Sequence, residues 1–264
     1  MNTMERVREH YEEGLKHFPE PQTVGIFLQG SQNYGLSMPT SDVDTKLIVL
    51  PSFKDIAMNY QPISTTFVRA NDEHIDFKDL RLYMGCFYKQ NLNFLEILFT
   101  PYKILNPLYE EQWFRLIEQR EAIAHMNPVR AVKTMMGIAR EKYHAMEHPY
   151  PTKLDIIEKY GFDGKQVHHL LRVEDYMRRY IAGESYEECL RPTLELVPRL
   201  MDYKQHRIPL EIARLEAAES LARVEKMYHT FADDKKEQED AACRALLEDV
   251  QYEIMKISVK NEIC

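Results

Sequence analysis

No stretch of this sequence is long and apolar enough to span a bilayer, and residues Met1 to His10 carry charge throughout, without the apolar core of a secretory signal. No membrane partner is expected, and the expected compartment is the cytoplasm. Cysteine is scarce: Cys86, Cys189, Cys243 and Cys264 lie far apart and never form a CxxC pair, so neither a zinc knuckle nor a redox motif is present and reduced thiols are expected. Positive charge is in deficit. A net charge of -8 argues against tight, nonspecific binding to duplex DNA, because that affinity comes mainly from neutralised phosphates. Internal repeats and low-complexity tracts are absent. What is there is an ordinary globular composition, 44% hydrophobic and 29% charged, in a 264-residue chain whose length favours two domains.

The first half alternates helix and strand signals. Val7, Tyr11, Leu15 and Phe18 recur at helical spacing from Glu5 to His17, and Pro19 to Pro21 stop that helix. Thr23 to Leu28 and Lys46 to Leu50 read as neighbouring strands. Thr65 to Val68 and His74 to Phe77 read as two more, joined by the polar hairpin connection Ala70 to Glu73. Leu80 to Tyr88 returns to helical spacing, and the apolar run Phe94 to Phe99 fits either strand or helix. Beyond Pro107 the chain reads as all helix: Leu108 to His125, Pro128 to Met146, Gly164 to Ala182, Pro209 to Thr230 and Glu237 to Val259. The expectation is an α+β protein, with a catalytic domain at 1–106 carrying a mixed β-sheet and an all-helical domain at 107–264 closing a cleft.

The chemistry is concentrated in Gly30 to Asp44, which joins the first two strands. Gly30 lets backbone N–H groups approach a phosphate closely, and the Ser31 hydroxyl adds a donor. Asp42 and Asp44 stand at alternate positions at the mouth of the next strand, so a strand through both would turn their carboxylates to one face. Side-by-side carboxylates repel unless a cation sits between them, and hard oxygen ligands suit Mg²⁺ or Mn²⁺. Asp76, on the expected neighbouring strand, is the third candidate carboxylate for a two-metal site; Asp72, Glu73 and Asp79 lie close by in sequence. Read alone, Asp42 and Asp44 are equally a solvated turn. Tyr34 either stacks on a base or packs beneath the loop, and Glu96 reads as a structural partner.

Gly30-Ser31, Tyr34-Gly35-Leu36 and Ser41-Asp42-Val43-Asp44, with the later Asp76, resemble the signature of nucleotidyltransferases of the DNA polymerase beta superfamily, in its bacterial and phage branch. The resemblance covers roughly the first two-fifths of the chain, including Asp79-Leu80 and Leu95 to Leu98, and extends more weakly into the helical half. It implies a palm-like sheet domain, two Mg²⁺ (or Mn²⁺) ions held by Asp42, Asp44 and Asp76, and an NTP bound through Gly30, Ser31 and Ser41. It also carries over Lys165, His169 and Arg172 as nucleotide-binding residues, which at i, i+4 and i+7 share one helix face as a cationic stripe. The implied reaction moves an NMP from an NTP to an acceptor hydroxyl and releases pyrophosphate. The acceptor is left open: an RNA or DNA end, a protein hydroxyl or a small molecule. Arg120, Arg130, Lys133, Arg140 and Lys142 could steer a nucleic-acid end or form a solvated face. The rival reading is a regulatory or antitoxin-like nucleotide-binding protein that keeps the fold without catalysis.

Overall fold

The computed structural model describes residues 2–38 and 41–263. It is an α+β protein that divides into two compact units, Met1–Met126 with Glu239–Cys264, and Asn127–Gln238. The first unit runs α1 (Thr3–His17), β1 (Thr23–Gln29), β2 (Asp44–Val49), α2 (Phe53–Ala57), β3 (Ser64–Val68), β4 (His74–Asp79), α3 (Leu80–Tyr88), α4 (Leu92–Leu95), β5 (Lys103–Leu105), α5 (Glu110–Glu118) and α6 (Arg120–Ala124). The second holds α7 (Pro128–Ala145), α8 (Leu154–Tyr160), α9 (Gly164–Ile181), α10 (Tyr186–Leu190), α11 (Val197–Lys204) and α12 (Leu210–Asp234), after which α13 (Ala241–Ile263) returns to the first.

The sheet has the order β3-β4-β2-β1-β5. β2 pairs with β4 in parallel, and the other pairs are antiparallel. Helix α1 starts at a reciprocal cap, in which the Asn2 side chain accepts the Met4 amide at 3.1 Å and Glu5 accepts the Asn2 amide at 2.8 Å. Its inner side lies so close to β2 that a Cβ at Gly14 would run into the Leu47 side chain. Val7 of α1 then joins Ile26, Leu28, Val43, Leu47, Val49, Ile75 and Phe77 in one core. Each such aliphatic side chain contributes roughly 1.5–3 kcal/mol relative to exposure. Alternation sends Phe27 to the opposite face, where its ring lies 5.1 Å from Trp113 of α5, itself 6.5 Å from Phe87 of α3.

That Phe27–Trp113 contact ties α5 to the sheet. The sequence expectation set the boundary at 106/107, but α5 and α6 belong to the sheet's unit because Trp113 is needed to cover β1, and α13 packs on α5 and α3. The compact units therefore part after Met126, with the C-terminal helix back in the first. The expected helix 108–125 is broken at Gln119, whose backbone leaves the helical region at φ -103°, ψ 16°. The run Phe94 to Phe99 is helical, with α4 followed by a 3₁₀ turn at Glu96–Leu98. The three-residue β5 was too short to show a period.

In the second unit α9 is central, packed on α7, α10, α11 and α12. Asp163 caps it by accepting the Lys165 amide at 2.9 Å. Helix α7 begins with Pro128 in the first turn, where a missing N–H costs least, and Asn127 caps it through the Arg130 amide at 3.0 Å. Among the described residues, no helix is long and apolar enough to cross a membrane.

Candidate functional site

β1 is followed by Gly30 at φ +98°, a left-handed conformation that glycine adopts without a Cβ clash. The chain then winds through a tight turn closed by Asn33 N–H to Gly30 O at 3.0 Å and by the Tyr34 and Leu36 amides to Ser31 O at 3.2 and 3.0 Å. Tyr34 is buried, as packing beneath the loop requires. The Gly30 amide donates to Oε1 of buried Glu96 at 3.2 Å, so this N–H already holds a carboxylate. The Ser41 hydroxyl accepts the Met38 amide at 2.8 Å. Gln32 ties the first turn to the acidic segment by donating to the Asp42 carbonyl at 2.7 Å.

Strand pairing builds a polar patch on the Phe27 face. Gln29 stands opposite Asp44, while Phe27, Lys46, Asp76 and Thr66 form one cross-strand row through β1, β2, β4 and β3. Asp44 and Lys46 share a face by alternation, so Asp44 and Asp76 do as well. The Asp44 Oδ1 accepts the backbone N–H and the ring Nδ1–H of His74, both at 3.1 Å. Asp76 accepts the Thr66 hydroxyl at 2.6 Å and Gln29 Nε2 at 3.4 Å, with Lys46 Nζ 3.8 Å away. Lys46 is buried and lies 4.3 Å from the centre of the Phe94 ring. Burial pushes its pKa down from the usual lysine value, and the charge of Asp76 opposes that. Asp42 is different: β2 begins at Asp44, so Asp42 is an exposed loop residue and strand alternation does not govern it.

Carboxylates suit a hard cation such as Mg²⁺ in kind, and of the three expected only Asp44 and Asp76 are set on one face by the strands, while Asp42 lies in the loop. Among the described residues, no three His, Cys, Asp or Glu side chains are grouped so as to hold a metal ion. Asp44 is engaged by His74, and Asp76 by Thr66, Gln29 and Lys46. Lys46, His74, Gln29 and Thr66 were not singled out in the sequence. The alternation that selects Asp44 and Asp76 also selects Lys46 and His74, each at the next same-face position on its strand.

In the helical unit the stripe on α9 is uneven. Lys165 is exposed, His169 half-buried and Arg172 buried. Burial, then the charge of Arg172, pushes the His169 pKa well below the usual histidine value, so His169 is neutral at neutral pH and the stripe has two cations, not three. The neighbouring His168 is buried and donates from Nδ1 to the Leu200 carbonyl at 3.0 Å. Of the expected nucleic-acid-steering cations, Arg130 pairs with Glu237, Arg140 with Glu225 and Lys142 with Glu141, each at 2.7 Å.

No family model matches the chain, and no curated protein matches it. Among solved structures, a nucleotidyltransferase-like protein from Exiguobacterium sibiricum 255-15 is 11% identical, over 97% of this chain and 80% of that one, at a TM-score of 0.33. So loose a likeness carries no argument about the site.

Proposed function

We propose that the chain is a nucleotidyltransferase that moves an NMP from an NTP to an acceptor hydroxyl. The supporting observation is the placement of Asp44 and Asp76 on one face of adjacent strands, beside a Gly30-Ser31 turn that Gln32 ties to Asp42. In this reading the acceptor oxygen bonds to the α-phosphorus, the bond to the bridging oxygen of pyrophosphate breaks, and the acceptor's proton passes to a carboxylate of the polar face. The Ser31 hydroxyl donates to phosphate, and Lys46 steadies the charge of Asp76. A triphosphate beside these carboxylates calls for added positive charge, which makes Mg²⁺ or Mn²⁺ an experimental variable.

The test is incubation of the purified chain with each α-labelled NTP, with Mg²⁺, Mn²⁺ or chelator, and with its own chain, an RNA or DNA oligonucleotide, or a small-molecule panel as acceptor. Label transfer to one acceptor class, lost with chelator, is the expected result. The absence of transfer with every NTP, together with a melting temperature that NTP and metal leave unmoved, would overturn it. The engagement of Asp44 by His74 and of Asp76 by Lys46 favours a second reading, nucleotide binding without transfer. That reading predicts the melting shift and no labelling.

A further inference from the structure

Asp42 lies in a loop with no strand pairing of its own, yet both peptide groups that flank it are held from outside the loop. The Ser41 carbonyl accepts Arg6 Nη1 of α1 at 3.2 Å, and the Val43 amide donates to Oε1 of Glu73, just ahead of β4, at 3.1 Å. Glu73 is only 1% exposed, and its carboxylate also binds the Arg6 guanidinium, His10 Nε2 at 2.9 Å and Arg69 Nη1 at 3.1 Å. His10 in turn meets the Thr45 hydroxyl at 3.0 Å, one residue past Asp44. With Gln32 on the Asp42 carbonyl, the segment from Ser41 to Thr45 is gripped from α1, from the Gly30 turn and from the start of β4.

A buried carboxylate is costly unless its charge is matched and its lone pairs are filled; here Arg6 and Arg69 match the charge, and Arg6, His10 and the Val43 amide touch or belong to the acidic segment. Arg69 and Arg6 both neutralise Glu73, but their geometry differs: Arg6 also reaches the loop, whereas Arg69 reaches Glu9. The two arginines therefore separate support of the fold from control of the loop.

We propose that Arg6 and Glu73 are positioning residues that fix the Asp42–Asp44 segment relative to the Gly30-Ser31 turn. This rests on the reading that these carboxylates form the reactive site. Small displacements of reacting groups lower turnover without lowering substrate affinity in proportion, so the effect falls on kcat.

The experiment compares Arg6→Ala with Arg69→Ala, with Arg6→Lys as the conservative variant. Each alanine variant removes one guanidinium from Glu73, so simple destabilisation affects them alike. Amide hydrogen exchange across residues 41–45 is measured by mass spectrometry, beside global melting and NTP-dependent transfer. The expected result is at least tenfold faster exchange in that segment for Arg6→Ala than for Arg69→Ala. A kcat loss on the order of tenfold or more with an unchanged NTP KM should accompany it, and Arg6→Lys should recover part of both. Equal exchange in the two alanine variants, or a loss that tracks melting temperature alone, overturns the proposal. If wild-type protein transfers nothing, the nucleotidyltransferase reading fails by itself, and the exchange comparison still decides whether Arg6 holds the segment.

Discussion

The two units handle charge in opposite ways. On the sheet, Gln29, Asp44, His74, Lys46, Asp76 and Thr66 come from β1, β2, β3 and β4 and gather on one face, with Asp44 and Asp76 both partly open to solvent. In the helical unit Arg130, Arg140, Arg199, Arg214 and Arg223 each pair with a glutamate of another segment of the same unit, Glu237, Glu225, Glu216, Glu147 and Glu174. Pairing of this kind binds helices together and leaves little net field for a ligand. A functional reading therefore belongs first to the face where Asp44 and Asp76 stay partly open to solvent, and the largest effects of substitution should be found there.

The sharpest break of the comparison is Asp44→Asn. Its side chain is 37% exposed and bonds only to His74 among the contacts described, so the change should leave the melting temperature within a few degrees. On the proposed function, removing this charge should lower NTP-dependent transfer by on the order of a hundredfold or more. Asp76→Asn should do the same and also free Lys46. Wild-type transfer in either variant would remove that residue from the site.

Next in size is acid sensitivity, carried in the sheet unit by His10 and in the helical unit by His168 together with His169, whose pKa burial also lowers. His10 faces Glu73, Thr45, Arg6 and Arg69, and burial, then the charges of Arg69 and Arg6, lowers its pKa from 6.5 to about 4. With two guanidiniums already matching Glu73, little attraction remains to hold a proton on His10. His168 faces the Leu200 carbonyl, Arg172, Lys204 and Lys165, and burial likewise lowers it to about 4. A folded-state pKa below the unfolded one means that the unfolded chain binds the proton first. The stabilisation is thus complete above pH 6.5 and is lost as pH falls toward 4. The loss should be on the order of 2–3 kcal/mol for His10 and for His168. Melting curves from pH 7 to pH 4 should fall through that window, and His168→Gln should flatten the descent. A flat profile would mean that these histidines are not neutral in the folded protein.

The sheet was largely legible because alternation is a two-fold rule: once Asp44 is on a face, Lys46 follows, and His74 follows from Asp76. Strands β1 to β4 and helices α1, α3, α7 and α9 lie within a few residues of where periodicity placed them. The loop hid more. Asp42 looked like a strand residue because the sequence shows its spacing from Asp44 but not where pairing begins. Glu73 could be seen only as one acid among several, since its partners Arg6 and His10 come from the other end of the unit. On α9 the spacing of Lys165, His169 and Arg172 was read correctly as one face, but spacing does not say which end of that face is covered. The packing of α7, α11 and α12 around α9 decides that.

A smaller effect tests whether the helical unit takes part in nucleotide binding at all. Lys165 is exposed, so Lys165→Ala should not change stability measurably. If its ammonium serves a triphosphate, the NTP KM should rise several-fold at constant kcat, as loss of uniform binding does. An unchanged KM would confine nucleotide recognition to the sheet unit.

The smallest expected effect concerns RNA. Arg130 donates from Nε and Nη2 to one oxygen of Glu237, at 2.9 and 2.7 Å, and both side chains are partly exposed. An exposed pair of this kind is worth about 0–1 kcal/mol, and its guanidinium is already partly neutralised. Arg130→Ala with Lys133→Ala should therefore leave the salt dependence of binding to an RNA oligonucleotide nearly as it was. Were the two cations phosphate contacts, losing them would flatten the slope of log K against log salt by about 1.4 for a single strand. Glu237→Gln sharpens the test because it keeps the side chain's shape and releases Arg130. If the pairing is what silences this patch, that variant should bind RNA more tightly at low salt and lose the gain at high salt. A flattened slope in the double variant, with no gain in Glu237→Gln, would show that Arg130 meets phosphate despite its glutamate and would favour a nucleic-acid end as the acceptor.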